Sequence, residues 1–167
     1  MTSDNGRAAR MAARSAQRSA ARLGAVQALY QMDMAGTDAN QVINEFSEER
    51  LAEVARNFDA DSADEAYFRD IVLGVLKDQK EIDPVIDAQL AEGWRLARVD
   101  SILRAILRSA AYELSSSSEV PGRVVINEYV DIAHAFFGAE EPRVVNGVLD
   151  HLARKWRKDE FQLEKNV

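Results

Sequence analysis

The stretch VVNGVLDHL, residues 144–152, can be read as a hairpin or as a helix. Alone, Asn146-Gly147 is a strong hairpin signal, because both residues tolerate the positive φ of a tight two-residue turn. Its neighbours say otherwise. Val144, Val145, Val148, Leu149 and Leu152 recur at the spacing of one helical face, not of a strand. With helix favoured even here, and no sustained period-2 alternation elsewhere, the chain is predicted to be all-α, with about seven helices in two packed subdomains.

Pro121 and Pro142 each open a helix, with Phe136, Phe137 and Gly138 as the stop between them. Val99 to Leu114 carries Ile102, Leu103, Ile106, Leu107, Ala110 and Leu114, an apolar surface wide enough for the central helix. Ser115 to Ser118 ends it. Asp83-Pro84 starts a helix reaching about Glu92. Phe68, Ile71, Val72, Val75 and Leu76 mark another, opened by a Ser62/Glu65 capping box and ending near Lys80. Val42 to Phe58 suggests a helix irregular at Ser47. The first helix spans 14 to 35, with Leu23, Val26, Tyr30 and Met34 as its buried face and Gly36 as its cap. Residues 1–13 read as a flexible, arginine-bearing extension, 14–158 as the folded part with subdomains of roughly 14–80 and 81–158, and 159–167 as a charged tail.

The 167 residues can bury roughly two-thirds of their unfolded surface without a staple. Cysteine is absent, which suits a reducing cytoplasm and removes thiolate ligands and nucleophiles. No apolar run approaches the ~18 residues of a membrane span. His134 and His151 sit on separate helices without metal-ligand spacing, and no glycine-rich phosphate loop occurs. No catalytic residue, cofactor or metal is therefore expected, and the chain reads as a non-enzyme.

Charge is segregated. Arg7, Arg10, Arg14, Arg18 and Arg22 face a single carboxylate, Asp4, in the first 22 residues, which gives +4. The remaining residues hold 16 of the 21 basic and 27 of the 28 acidic groups, a net of −11. At 100° per residue the five arginines fall within an arc of about 120° on a helix. Guanidinium forks pair with phosphate, and an ordinary solvated face would intersperse Glu for i to i+4 pairs. The flanking alanines give a membrane little to hold. Tyr30, Phe136 or Phe137 could stack free bases, and Arg143 with the Gly138 turn could meet a phosphate-bearing strand, although Glu140 and Glu141 oppose that.

Taken together, Arg22 with AVQALY (25–30), YFRD with Gly74, AYEL (111–114), Val120-Pro121, INE (126–128), FGAE (137–140) and VNGVLD (145–150) resemble the NusB family of transcription antitermination factors. The resemblance implies two packed helical subdomains, no catalysis, and binding of boxA-type single-stranded RNA together with NusE in ribosomal RNA operons, as part of the RNA polymerase elongation complex. It places NusE on the C-terminal helices, including the one holding Asp100 and Arg104. It points to Arg18 and Arg22 as the RNA-binding motif, and raises Tyr30 and Phe137 as RNA contacts. Here Ser19 and Ala20 interrupt the motif, while Arg7, Arg10 and Arg14 extend the stripe; Arg143 is the remaining candidate. A homodimer of the free protein, hiding the arginine face, stays open. The alternatives are a helical protein–protein adaptor and a stand-alone RNA-binding module like the domain that precedes RNA cytosine methyltransferases.

Overall fold

The computed structural model describes residues 2–116 and 119–165, with side chains at 3–116 and 119–162. These residues form helices and turns, with no strand among them. In chain order they are α1 (Thr2–Ala35), α2 (Ala39–Glu45), a π-helical turn (Phe46–Arg50), α3 (Leu51–Arg56), α4 (Glu65–Gln89), α5 (Ser101–Ser115), α6 (Gly122–Phe136), α7 (Glu140–Trp156) and α8 (Lys158–Lys165). Counting α2, the π turn and α3 as one interrupted helix gives the expected seven among the described residues. Two compact units, Met1–Leu73 and Gly74–Val167, divide inside α4 rather than at 80/81. No helix among the described residues is long and apolar enough to cross a membrane.

In the first unit, α1 begins at Thr2, not near Arg14. Alanine, arginine, glutamine and methionine favour helix throughout, and nothing before Gly36 stops it. The expected flexible extension is therefore helical from Thr2; what changes beyond residue 14 is burial. Side chains from 3 to 15 are exposed apart from half-buried Gly6, whereas most of those from Ser19 to Leu29 are buried. Small residues allow that enclosure: a Cβ on Gly24 would lie 2.7 Å from Leu51 Cδ2. α1 packs on α2, the π turn and α3, whose Val42, Ile43, Phe46, Leu51 and Val54 are buried. The irregularity foreseen at Ser47 is the π turn, and its Phe46 stacks on Phe68 at 5.6 Å. Gly36 closes α1 at φ +64°, donating its N–H to Met32 O at 2.9 Å.

The cap of α4 differs from expectation. Asp64, not Ser62, accepts the Tyr67 N–H through Oδ1 at 3.1 Å, because Asp64 immediately precedes the first helical residue. The Asp64 N–H in turn donates to Gln17 O at 3.0 Å, which ties the start of α4 to α1.

In the second unit α4 runs through Pro84, where a new helix was expected. Arg108 donates to both carboxylate oxygens of Asp83 at 2.9 and 2.8 Å, and Ile82 and Ile86 are buried on either side. That packing offsets the ~3 kcal/mol cost of an interior proline. α5, capped by Asp100 Oδ1 on the Ile102 N–H at 2.8 Å, is the central helix, with α6 and α7 packed on it. Inside, the Tyr129 hydroxyl donates to Glu113 Oε2 at 2.8 Å. Ser115 still belongs to α5, and Ser117 and Ser118 of the expected loop lie outside the described residues.

α7 starts at Glu140, two residues before Pro142, which is buried in its first turn. Asn146 and Gly147 lie exposed on α7, so the hairpin alternative fails. The expected charged tail is corrected to helix α8, because one aromatic gives it a seat: Phe161 is buried, with the Arg123 and Arg154 guanidiniums over its ring at 4.9 and 5.1 Å. Asn166 and Val167 lie outside the described residues.

A Cβ on Gly74 would fall onto the Tyr112 ring, whereas Gly147 has nothing within 4 Å. Gly74→Ala is therefore expected to lose about 1–3 kcal/mol and Gly147→Ala to gain about 0.5–1 kcal/mol. Urea unfolding midpoints check this; equal effects at the two sites would contradict the packing described.

Candidate nucleic-acid interface

The exposed part of α1 carries Arg7, Arg10 and Arg14 in the open. With Arg18, which is half-buried, they occupy an arc of about 80° on an ideal helix. Asp4 is the one carboxylate in this part of the sequence. Such an array binds anions: three or four guanidiniums at a pitch of roughly 6 Å can each fork onto a phosphate oxygen pair.

The stripe does not continue into solvent. Arg22 is only 2 % exposed, so the expectation of five arginines on one open face is corrected at this position. The reason lies in which side of α1 packs. The arginine arc, carried forward, holds Ala25 and Leu29, both buried. The side expected to be buried is the more open one: Leu23 is half-buried, while Tyr30 and Met34 are 37 % and 62 % exposed. Only Val26 of that expected face is fully buried. One direction along the helix thus passes from solvent to core, and Arg18 and Arg22 stand at the crossing.

Tyr67, in the first turn of α4, receives both. The Arg18 guanidinium lies 5.3 Å from its ring centroid and the Arg22 guanidinium 5.2 Å, with Arg22 Nη2 donating to Tyr67 Oη at 3.1 Å. Tyr67 is held there by the Asp64 cap and by the Asp64 bond to Gln17, one residue before Arg18. Sequence reasoning gave Tyr67 no role in the site. Its partners lie 45 and more residues away, beyond any periodicity, and the one local sign was an aromatic placed just after an Asp cap.

The other candidates are placed separately. Tyr30 is exposed near the end of α1. In the second unit Phe137 is the extended residue that ends α6, half-buried, with its N–H on Ala133 O at 2.9 Å. Arg143 is exposed in α7 beyond Glu140 and Glu141, whose position in the first turn complements the helix dipole. Among the described residues no group of three His, Asp or Glu side chains is arranged to hold a metal ion.

Comparison with known proteins gives the chain's family. Residues 19–154 match the NusB family. The chain is 51 % identical over 145 residues to the transcription antitermination protein NusB of Rhodopseudomonas palustris (strain HaA2), covering 87 % of this chain and 86 % of that one. Among solved structures, T. maritima NusB superposes with a TM-score of 0.69 at 28 % identity, over 87 % of this chain and 96 % of that one. A chain of the crystal structure of antitermination factors NusB and NusE in complex with dsRNA gives 0.66 at 25 % identity, over 84 % of this chain and 98 % of that one.

Burial separates the arginines experimentally. Arg22→Ala empties a fully buried side-chain site and takes the Nη2 donor from the half-buried Tyr67 hydroxyl, and is expected to cost about 2–4 kcal/mol. Arg14→Ala, on an open face, should stay within about 0.5 kcal/mol of wild type. Chemical denaturation of both variants is the check, and an Arg22→Ala protein as stable as wild type would refute the structural role.

Proposed function

This chain belongs to the NusB family, and on that premise we propose that it is a non-enzymatic transcription antitermination factor that binds boxA-type single-stranded RNA together with NusE. It acts in the cytoplasm on the RNA polymerase elongation complex and favours read-through in ribosomal RNA operons. The observation that carries the RNA reading is the run of Arg7, Arg10, Arg14 and Arg18 along one exposed edge of α1 in a chain whose remainder is strongly acidic. A structure of antitermination factors NusB and NusE in complex with dsRNA, similar to this chain, supports NusE and RNA as the classes of partner.

In this reading Arg10, Arg14 and Arg18 take phosphates, and Tyr30 offers a ring to a base. Phe137 and Arg143 are the second unit's candidates, the ring for stacking and the guanidinium for a further phosphate. NusE docks on the second unit, in the region of α5. The charge split serves both partners: an acidic body attracts NusE, by the family resemblance a ribosomal protein and hence basic, while the arginine edge attracts RNA. Base contacts are few on either count, so the protein alone binds RNA weakly and NusE supplies the remainder of the selectivity.

Three to five phosphate contacts correspond to a slope of log K against log salt of about −2 to −3.5. Fluorescence anisotropy of a labelled boxA-type RNA, with and without NusE and against a scrambled RNA, should show selective, NusE-dependent binding in that range. Arg10→Ala with Arg14→Ala should bring the slope closer to zero by about 1.4. Equal weak binding to both RNAs, indifferent to NusE, would leave a helical adaptor with an incidental basic arm.

A further inference from the structure

We infer that Tyr67 is a positioning residue for RNA binding: it holds the Arg18 guanidinium at the edge of the phosphate site, and Arg22 acts through Tyr67 instead of touching RNA. The inference rests on the reading of the arginine edge as the RNA site.

Three observations carry it. Both guanidiniums sit over one ring, at 5.3 and 5.2 Å, so the ring's negative face orients two cations that lie one helical turn apart. Only one of them can reach a ligand: Arg18 is half-buried, whereas Arg22 is 2 % exposed and spends an N–H on the Tyr67 hydroxyl at 3.1 Å. The ring itself is fixed on the backbone side, through the Asp64 carboxylate on the Tyr67 N–H and the Asp64 N–H on Gln17 O. Arg22 and Asp64 therefore set the ring, and the ring sets Arg18. An arginine free to rotate loses side-chain entropy when it meets phosphate; one already laid on an aromatic face loses less, and the saving appears as affinity. Arg7, Arg10 and Arg14 lie on the fully exposed part of α1, so Arg18 is the arginine of the edge whose geometry the fold dictates.

The test uses the protein–NusE complex with the labelled boxA-type RNA. Tyr67→Phe keeps the ring and should retain wild-type salt dependence, whatever stability it loses with the hydroxyl. Tyr67→pentafluorophenylalanine keeps the shape but reverses the ring's electrostatic face, and should weaken RNA binding about 3- to 10-fold relative to Tyr67→Phe. Arg18→Ala should lower the magnitude of the salt slope by about 0.7, and adding the fluorinated ring to Arg18→Ala should cost nothing more. In the free protein, NMR relaxation of the Arg18 Nε–Hε group should show greater motion with the fluorinated ring than with phenylalanine. Equal RNA affinity and equal Arg18 order for the two rings would overturn the inference, as would losses that simply add, which would make Tyr67 an independent contact. Absence of salt-dependent binding by the wild-type complex would instead strike the RNA reading itself, while the Arg18 relaxation data would still decide whether the ring holds the arginine.

Discussion

The seating of the Arg22 guanidinium on Tyr67 is the contact on which the first unit depends. α1 serves as the helix around which that unit packs and as the carrier of its positive charge, and both uses fall on the same side of the helix. Where the arginine arc enters the core, a cation must be buried. Removing a guanidinium from water costs several kcal/mol unless partners replace the hydration. An aromatic face, a hydroxyl acceptor at 3.1 Å and the aliphatic stem of arginine itself supply part of that replacement. Displacing the crossing by one turn would either bury Arg18 as well or bring Arg22 out to solvent.

Small residues follow from the same constraint. A helix surrounded on most sides can approach its neighbours only where its own side chains are short, which is why Ser19, Ala20, Ala21, Gly24, Ala25 and Ala28 cluster around Arg22. Leu51 and Phe68 fill the space they vacate, each within 3.5 Å of where a Cβ on Gly24 would stand. The second unit repeats the theme with different chemistry. Its polar burial is concentrated on α5, where Glu113 takes the Tyr129 hydroxyl, and at Arg157, which gathers the carbonyls of Leu114 and Val120 at 2.9 and 3.1 Å.

Much of this was legible in the sequence because helices advertise themselves by periodicity. The all-α class, the central position of α5, the irregularity at Ser47 and the Gly36 stop all followed from local pattern. Pro84 misled because a breaker's cost is local while its compensation, Arg108 on Asp83, comes from 25 residues away. The tail after Arg157 misled because one buried phenylalanine outweighs a charged composition. The face of α1 was read the wrong way round: alanines carry little weight in a hydrophobic pattern, so Leu23, Tyr30 and Met34 drew the stripe to the open side. The arginine edge could be seen from charge alone, and the ordered motifs pointed to the family. Tyr67 could not, since nothing short of the fold brings α4 beside α1.

On the proposed function, one continuous helix, α1, is core at one end and RNA handle at the other. Hydrogen–deuterium exchange along α1, for the protein–NusE complex with and without boxA-type RNA, tests it directly. Amides of residues 19–29 should exchange slowly in both states, and those of residues 5–17 should exchange rapidly until RNA is bound and then slow. Rapid exchange at 19–29, or an unchanged 5–17 under saturating RNA, would contradict it.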